Sequence, residues 1–177
     1  MKIYVGTVEG KKTFEDIDKV GSMALVGEPG CGKTTYLKEM LLEASESYSP
    51  EEVRFIIYTS KGIDYRRSFG NGPWTHAYID DDPAALGVVL DKLEPTKGKT
   101  IVVIDDAVRV CSELPSIVDK VDRLSKLGVH FFVVLYFVID STRPLYERMK
   151  TKRVYRFDGL EDPDVPLHAS FVDERGE

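Results

Sequence analysis

The fold of this 177-residue chain is decided by one stretch, GEPGCGKTT, which covers residues 27–35. It follows a short apolar run, SMALV, that predicts a buried strand, and it opens a segment with apolar residues at helical spacing. Glycines let the backbone curl so that successive N–H groups point inward, and the start of a helix adds a positive dipole end. With the charge of Lys33, these features predict a phosphate-binding loop between a strand and a helix.

Each residue type in the loop has a chemical role in this prediction. Lys33 supplies a point charge for the β and γ phosphates, and the hydroxyl of Thr34 is placed to bind Mg²⁺. ATP and Mg²⁺ are therefore the predicted cofactors. Cys31, at a helix N-terminus, is expected to be a reactive thiol in the empty site. The predicted nucleotide-binding residues are Gly27, Glu28, Pro29, Gly30, Cys31, Gly32, Lys33, Thr34 and Thr35.

Two carboxylates end a later β-branched run, TIVVIDD, which predicts another buried strand. Asp105 is the predicted second protein ligand of Mg²⁺, and Asp106 is the candidate catalytic base that orients or deprotonates the attacking water. The alternative for this pair is two solvated carboxylates that cap the next element. Aspartate is one methylene shorter than glutamate, so whether Asp106 reaches the water stays open.

Strands alternate with helices along the chain, which predicts an α/β fold with a mostly parallel sheet and helices on both faces. We expect a hairpin lead-in over residues 1–20, a nucleotide-binding core over residues 21–160 and a polar tail over residues 161–177. The segment SKGIDYRRSFGNGPW has no clear period and is predicted to be a long polar loop. The segment HAYI is a candidate short strand.

Composition limits the function classes. The net charge of -6 argues against nucleic-acid binding by the chain alone, because backbone binding needs a clustered basic surface. The longest apolar run, residues 129–139, is too short to cross a bilayer, and the first residues contain no signal-peptide core. The chain has two cysteines, one of them inside the glycine loop, which indicates a reducing compartment.

Four stretches resemble the FtsK/SpoIIIE-type ATPases of the FtsK–HerA group of ring-forming motors. They are FEDIDKVGSMALVGEPGCGKTTYLKEMLL, SPEEVRFIIYTSKGID, IVVIDDA and LGVHFFVVLY, and they extend over roughly residues 10–158. The resemblance implies a RecA-like P-loop NTPase with a five-stranded core sheet of order 5-1-4-3-2. It also implies ATP hydrolysis, with low activity in an isolated module.

Within this group, the chain resembles the C-terminal ATPase module of the type VII secretion proteins EccC and EssC. This likeness rests on the short stretch between the predicted helix and the IDD triplet, and on the ending PLYERMKTKRVYRFDGLEDPDVPLHAS. It implies a hexameric ring with other ATPase modules at the cytoplasmic face of the membrane, where other parts of a larger protein contact the bilayer. It further implies that the partners are helical C-terminal tails of WXG-type secreted proteins. The candidate docking surface for such a tail lies around Ile117, Val118 and Val121 and in residues 65–74.

The sequence departs from the DNA-pumping relatives at a polar sensor. Those proteins place a glutamine near the end of the fourth strand, where this chain has Tyr136 or, if the chain bulges, Thr142. For Tyr136 we favour simple packing within an apolar strand. An arginine finger from a neighbouring subunit would be Arg66, Arg67 or Arg109, among which the sequence does not choose.

Three functions fit the sequence. The first is an ATPase module that couples nucleotide binding to substrate engagement in type VII protein secretion. The second is a double-stranded DNA translocase or a viral genome-packaging ATPase. The third is a nucleotide-binding regulatory module with little turnover. The acidic charge and the resemblance favour the first, and DNA binding by this module alone is not expected.

Overall fold

The computed structural model describes residues 1–8, 10–156 and 170–173. The chain begins with an antiparallel hairpin, β1 (Lys2–Val8) and β2 (Lys11–Asp16). One helical turn, α1 (Ile17–Val20), leads from the hairpin into the central sheet, and Asp16 caps it by accepting a hydrogen bond from the backbone of Asp18. The division into lead-in, core and tail stays a prediction.

A seven-stranded sheet forms the centre of the described chain. Its strands are β3 (Met23–Gly27), β4 (Val53–Thr59), β5 (Thr75–Asp80), β6 (Lys99–Asp105), β7 (Val129–Leu135), β8 (Thr151–Arg156) and β9 (Ser170–Asp173). Their order in space is β5-β4-β6-β7-β3-β8-β9, and all neighbours are parallel except β8 and β9. The five core strands hold the predicted order 5-1-4-3-2, with one further strand at each edge, so the predicted α/β fold is confirmed.

In the part of the chain that the structure describes, six further helices cover the two faces of the sheet. They are α2 (Lys33–Ser47), α3 (Ile63–Phe69), α4 (Pro83–Asp91), α5 (Ala107–Glu113), α6 (Ile117–Ser125) and α7 (Arg143–Arg148). The hairpin, α2 and α3 contribute to one apolar layer, and α4 to α7 contribute to the other. The carboxyl ends of the parallel strands are thus left open between two packed layers, which is where such sheets bind ligands.

The apolar runs of the strands follow from burial on both faces. In β6, Ile101 and Val103 face the layer of α2, whereas Val102 and Ile104 face the layer of α6. All four side chains are fully buried. Because side chains alternate along a strand, a strand between two apolar layers needs an unbroken apolar sequence.

Two expectations need correction or limitation. The segment between β4 and β5 is not a polar loop throughout, because α3 forms there and buries Tyr65 and Phe69, four residues apart. The predicted polar tail, residues 161–177, lies outside the described residues apart from Ser170–Asp173, which form β9. Among the described residues, none of the helices has both the length and the apolar character to span a bilayer.

Candidate functional site

The glycine loop connects β3 to α2 at the carboxyl ends of the parallel strands. Gly30 and Gly32 have φ angles of 85° and 90°, in the left-handed region that other side chains rarely adopt. Gly32 is the N-cap of α2, and no side chain caps this 15-residue helix. The first N–H groups of the helix are therefore available to phosphate oxygens, and the helix dipole favours an anion there.

Lys33 lies at the centre of the loop. Only 4% of the residue is exposed. Its ammonium group donates hydrogen bonds to the carbonyl oxygens of Gly27 at 2.6 Å and Glu28 at 2.7 Å, and it lies 3.4 Å from Cys31 Sγ. The loop is thus wrapped around a buried positive charge that a bound phosphate would meet.

Cys31, the predicted reactive thiol, is buried in the loop. The residue is 6% exposed and belongs to the apolar layer that contains Leu37 and Tyr36. Its sulfur also receives the contact from Lys33. Burial limits access to this thiol, and its reactivity in the empty loop stays a prediction.

Thr34 and Asp105 meet across the site. The Thr34 hydroxyl donates a hydrogen bond of 2.8 Å to Asp105 Oδ2, although the two residues are 71 positions apart in the chain. Asp105 is the last residue of β6 and is 4% exposed. A hydroxyl and a carboxylate are hard oxygen ligands, and Mg²⁺ is commonly held by one or two such groups together with substrate phosphates. The donor set therefore fits the predicted metal, with Thr34 and Asp105 as the residues that would hold it.

Asp106 takes a different direction from Asp105. It adopts left-handed backbone angles, φ 100° and ψ 62°, and acts as the N-cap of α5. Its carboxylate accepts hydrogen bonds from the Ser60 hydroxyl at 2.8 Å and from the backbone N–H of Arg109 at 3.3 Å. Nearby, burial raises the pKa of Tyr58 to about 12, and Asp106 acts in the same direction. The candidate base is thus engaged as a helix cap, which is the alternative that the sequence left open.

A cavity of about 200 Å³ opens in front of the loop. Its lining consists of Gly30, Gly32, Lys33, Thr34, Thr35, Lys61, Asp105, Val134 and Tyr136. Gly27, Glu28, Pro29, Cys31 and Asp106 are not among these lining residues. The cavity thus brings together most of the predicted loop residues with Asp105, and it adds three residues that sequence reasoning did not assign to the site: Lys61, Val134 and Tyr136.

Two of the three additional residues, Lys61 and Tyr136, have polar groups. The Tyr136 ring centroid lies 5.2 Å from Lys33 Nζ and 5.4 Å from Lys61 Nζ. Tyr136 follows the end of β7 and is half-buried, so it does not pack within the strand as we expected. Thr142, the other candidate for the altered sensor, is buried and exchanges hydrogen bonds with the backbone of Ile139. Lys61 lies two residues after β4 and Tyr136 one residue after β7, and this closeness to the end of a core strand was the available signal.

The three candidate finger arginines all lie outside the cavity lining. Arg66 forms an ion pair with Asp80 at the end of β5. Arg109 forms ion pairs with Asp81 and Glu113, which raise the pKa of its guanidinium. Arg67 is exposed on α3 and makes no hydrogen bond or ion pair with any residue that the structure describes.

Comparison with known proteins supports the resemblance. The model of the FtsK/SpoIIIE family matches residues 2–70, which contain the hairpin, the glycine loop, α2 and β4. The inferred likeness to FtsK/SpoIIIE-type ATPases is thereby confirmed over this segment. No curated protein matches the chain in sequence.

Solved structures share the fold. EssC (ATPases 2 and 3) from Geobacillus thermodenitrificans is 20% identical with a TM-score of 0.62, covering 81% of this chain and 33% of EssC. Thermomonospora curvata EccC (ATPases 2 and 3) in complex with a signal sequence peptide is 16% identical with a TM-score of 0.70, covering 98% of this chain and 39% of EccC. The genome packaging NTPase of Sulfolobus turreted icosahedral virus 2, in complex with ATP-gammaS, is 15% identical with a TM-score of 0.58, covering 81% of this chain and 76% of the NTPase. The chain thus spans only a third to two fifths of the first two relatives.

Proposed function

We propose that this chain is an ATPase module of the FtsK/SpoIIIE type that binds MgATP at the glycine loop and hydrolyses it slowly. The observation that carries the proposal is the 2.8 Å hydrogen bond between Thr34 and Asp105, beside the buried ammonium of Lys33. It gathers a hydroxyl, a carboxylate and a cation around a helix start that no side chain caps. This set matches the needs of a Mg²⁺-bound triphosphate.

In this proposal the nine loop residues bind the phosphates through both backbone and side-chain groups. The backbone N–H groups of the loop residues other than Pro29 surround the phosphate oxygens, and Lys33 neutralises charge that develops on the γ-phosphate during transfer. Mg²⁺ when bound would neutralise phosphate charge between Thr34 and Asp105. The nearby layers of apolar side chains keep this edge of the sheet rigid.

Calorimetric titration with MgATP tests the binding. Lys33→Ala should lose most of the affinity, because the compensating charge for the phosphates disappears. Lys126→Ala, an exposed lysine at the end of α6, is the matched control and should bind like the unmodified chain. Thr34→Val should bind ATP with a weaker dependence on Mg²⁺. Equal affinity in the Lys33→Ala variant and the unmodified chain would reject the proposed site.

Turnover depends on Asp106. As a general base it would take a proton from the water that attacks the γ-phosphate. Both of its present hydrogen bonds hold it toward Ser60 and α5, so its remaining lone pairs must reach the attacking water from that position. We therefore propose turnover below about 1 s⁻¹ in the isolated chain, at the low end of the enzyme range. An arginine from a neighbouring module, for which Arg67 is the candidate without an ion pair in the described chain, would raise it.

The same two bonds favour a second candidate function. If Asp106 stays a helix cap in the nucleotide-bound state, the chain is a nucleotide-binding regulatory module with little turnover. Phosphate release measured under saturating MgATP separates the two functions. Steady release that Asp106→Asn abolishes supports the ATPase, whereas tight binding with no release from either form supports the regulatory module.

We further propose that the module serves type VII protein secretion, in a ring with other ATPase modules at the cytoplasmic face of the membrane. Other parts of a larger protein would make any membrane contact. The support is the structural likeness to EccC and EssC, one of them bound to a signal sequence peptide, together with the net charge of -6. Acidic charge disfavours duplex DNA, whose binding relies on released counterions.

The predicted docking surface for a helical tail must be placed elsewhere on the chain. Ile117, Val121 and Tyr65 are at most 1% exposed, so they belong to the core and not to a docking surface. Phe137 and Ile139, directly beyond Tyr136, are 54% and 40% exposed. Apolar anchors of a helix need such exposed apolar side chains.

Two titrations at about 0.15 M salt, near physiological ionic strength, test the substrate class. One uses C-terminal peptides of WXG-type proteins, and the other uses a fluorescent DNA duplex. We expect peptide binding that Phe137→Ser weakens and that Leu127→Ser, an exposed apolar control at 47%, leaves unchanged. DNA binding with DNA-stimulated hydrolysis, and no peptide binding, would instead favour a DNA translocase like the viral packaging NTPase.

A further inference from the structure

We propose that Lys61 is a second phosphate-binding cation of the site, which contacts the terminal phosphate of ATP and is positioned by the ring of Tyr136. This inference rests on the proposed binding of ATP. It adds to the glycine loop a charged group from a separate part of the chain, the segment after β4.

The backbone at Lys61 is fixed with respect to the metal ligands. Thr59, the last residue of β4, is the register partner of Asp105, so the two strands end level with each other. The Thr59 hydroxyl accepts a hydrogen bond of 3.0 Å from the backbone N–H of Lys61, and Ser60 donates to Asp106. These bonds hold the start of the loop at the edge of the cavity, where the side chain of Lys61 forms part of the lining.

The charges around the cavity are unbalanced. Among the residues that line it, Lys33 and Lys61 are positive and Asp105 is the one carboxylate. Both ammonium groups lie near the same Tyr136 ring, at 5.2 Å and 5.4 Å from its centroid. The electron-rich ring face attracts each cation, yet two like charges at one ring also repel each other. An anion in the cavity that both lysines line would be attracted by both ammonium groups, so the arrangement is suited to a multiply charged phosphate chain.

The topology indicates which phosphate Lys61 would reach. The loop N–H groups and Lys33 extend from β3, whereas Lys61 extends from β4, which is three strands away across β7 and β6. Phosphates held by the loop and the helix start lie on the β3 side of the cavity. A cation that enters from the β4 side therefore approaches the end of the triphosphate farthest from the loop, which distinguishes ATP from ADP.

The experiment compares the affinities for MgADP and for MgATP-gammaS as a slowly hydrolysed analogue. Lys61→Ala should weaken the triphosphate analogue by about 10- to 100-fold, as expected for a charged hydrogen bond, and should change MgADP affinity less than about twofold. Lys61→Arg should recover most of the loss. Lys126→Ala is the matched surface control.

The role of Tyr136 has its own pair of variants. Tyr136→Leu removes the ring face and should reduce the preference for the triphosphate. Tyr136→Phe keeps the ring face and should recover that preference. Equal loss of preference in both variants would contradict positioning by the ring and point to the phenol oxygen.

The outcomes separate this inference from the proposed function. If the unmodified chain binds neither nucleotide, or if Lys33→Ala binds as well as the unmodified chain, the proposed function fails and this inference fails with it. A different result overturns this inference alone. In it, the unmodified chain binds nucleotide, Lys33→Ala does not bind it, and Lys61→Ala keeps the full preference for the triphosphate. Equal weakening of both nucleotides by Lys61→Ala would also overturn it, because the contact would then lie on an inner phosphate.

Discussion

Substitution of Asp106 separates its structural role from its chemical one. The residue has φ 100°, a conformation that costs an alanine about 1–2 kcal/mol, whereas Asp and Asn tolerate it better. Asp106→Ala would also lose the cap of α5, about 1 kcal/mol, and the bond from Ser60, about 0.5–1.5 kcal/mol. We expect the free energy of unfolding to fall by about 2–4 kcal/mol in this variant.

Two matched variants sharpen the measurement. Asp106→Asn keeps a cap oxygen and tolerance of the left-handed conformation, so it should lose less than about 1 kcal/mol. Asp106→Gly relieves the backbone strain but makes no side-chain bonds, so it should lie between the other two. Denaturant unfolding gives the three free energies, and phosphate release gives turnover in the same samples. If Asp106→Ala is as stable as Asp106→Asn, the cap and the strain are energetically unimportant and the reasoning fails.

Three further predictions concern groups away from the loop. Burial raises the pKa of Cys111 to about 11, so iodoacetamide at pH 8 should label this thiol much more slowly in the folded chain than in denaturant; equal rates would contradict its burial. Burial and the charge of Lys99 lower the pKa of His130, although Asp18 opposes this effect. The neutral histidine therefore stabilises the folded state above about pH 6.5, and this stabilisation is lost as the pH falls. The unfolding free energy should therefore decrease on acidification below that pH, and less steeply in His130→Gln, as read from urea midpoints. Arg153 donates hydrogen bonds to the Val5 carbonyl and the Tyr36 hydroxyl, at 2.7 Å each. Arg153→Leu removes both bonds and should therefore speed amide hydrogen exchange in β1 and β2. Unchanged exchange would show that other contacts hold the hairpin.

The core strands and the meeting of Thr34 with Asp105 were predictable from the sequence because local signals and a general rule of parallel sheets suffice for them, whereas the strand order followed from the resemblance to the FtsK/SpoIIIE-type ATPases. Each core strand has an unbroken apolar run bounded by turn residues. Carboxyl ends of parallel strands lie at one edge of the sheet, so a polar residue after one strand meets the start of the helix after another. The 2.8 Å hydrogen bond is the outcome of that rule.

The helix α3 and the direction of Asp106 could not be read from local pattern. The segment around α3 contains Gly62, Gly70 and Gly72, which indicate turns, and its buried pair of aromatic residues is too short a signal for a helical period. Adjacent carboxylates at a strand end look alike in sequence. Which one faces the cavity depends on the left-handed turn at Asp106, and that turn is stabilised by Ser60, 46 positions earlier in the chain.

The placement of Tyr136 shows how pairing partners define the end of a strand. The run from Val129 onward stays apolar to Ile139, so composition alone extends the strand through Tyr136. Pairing with β3 ends at Leu135, opposite Val26, and the last residue of β3, Gly27, pairs only with β8 on the other side. Beyond that point the chain has no parallel neighbour on this side and leaves the sheet. The first residue past the last pair is therefore brought beside the glycine loop, which makes Tyr136 part of the cavity lining, and the next residue, Phe137, is exposed.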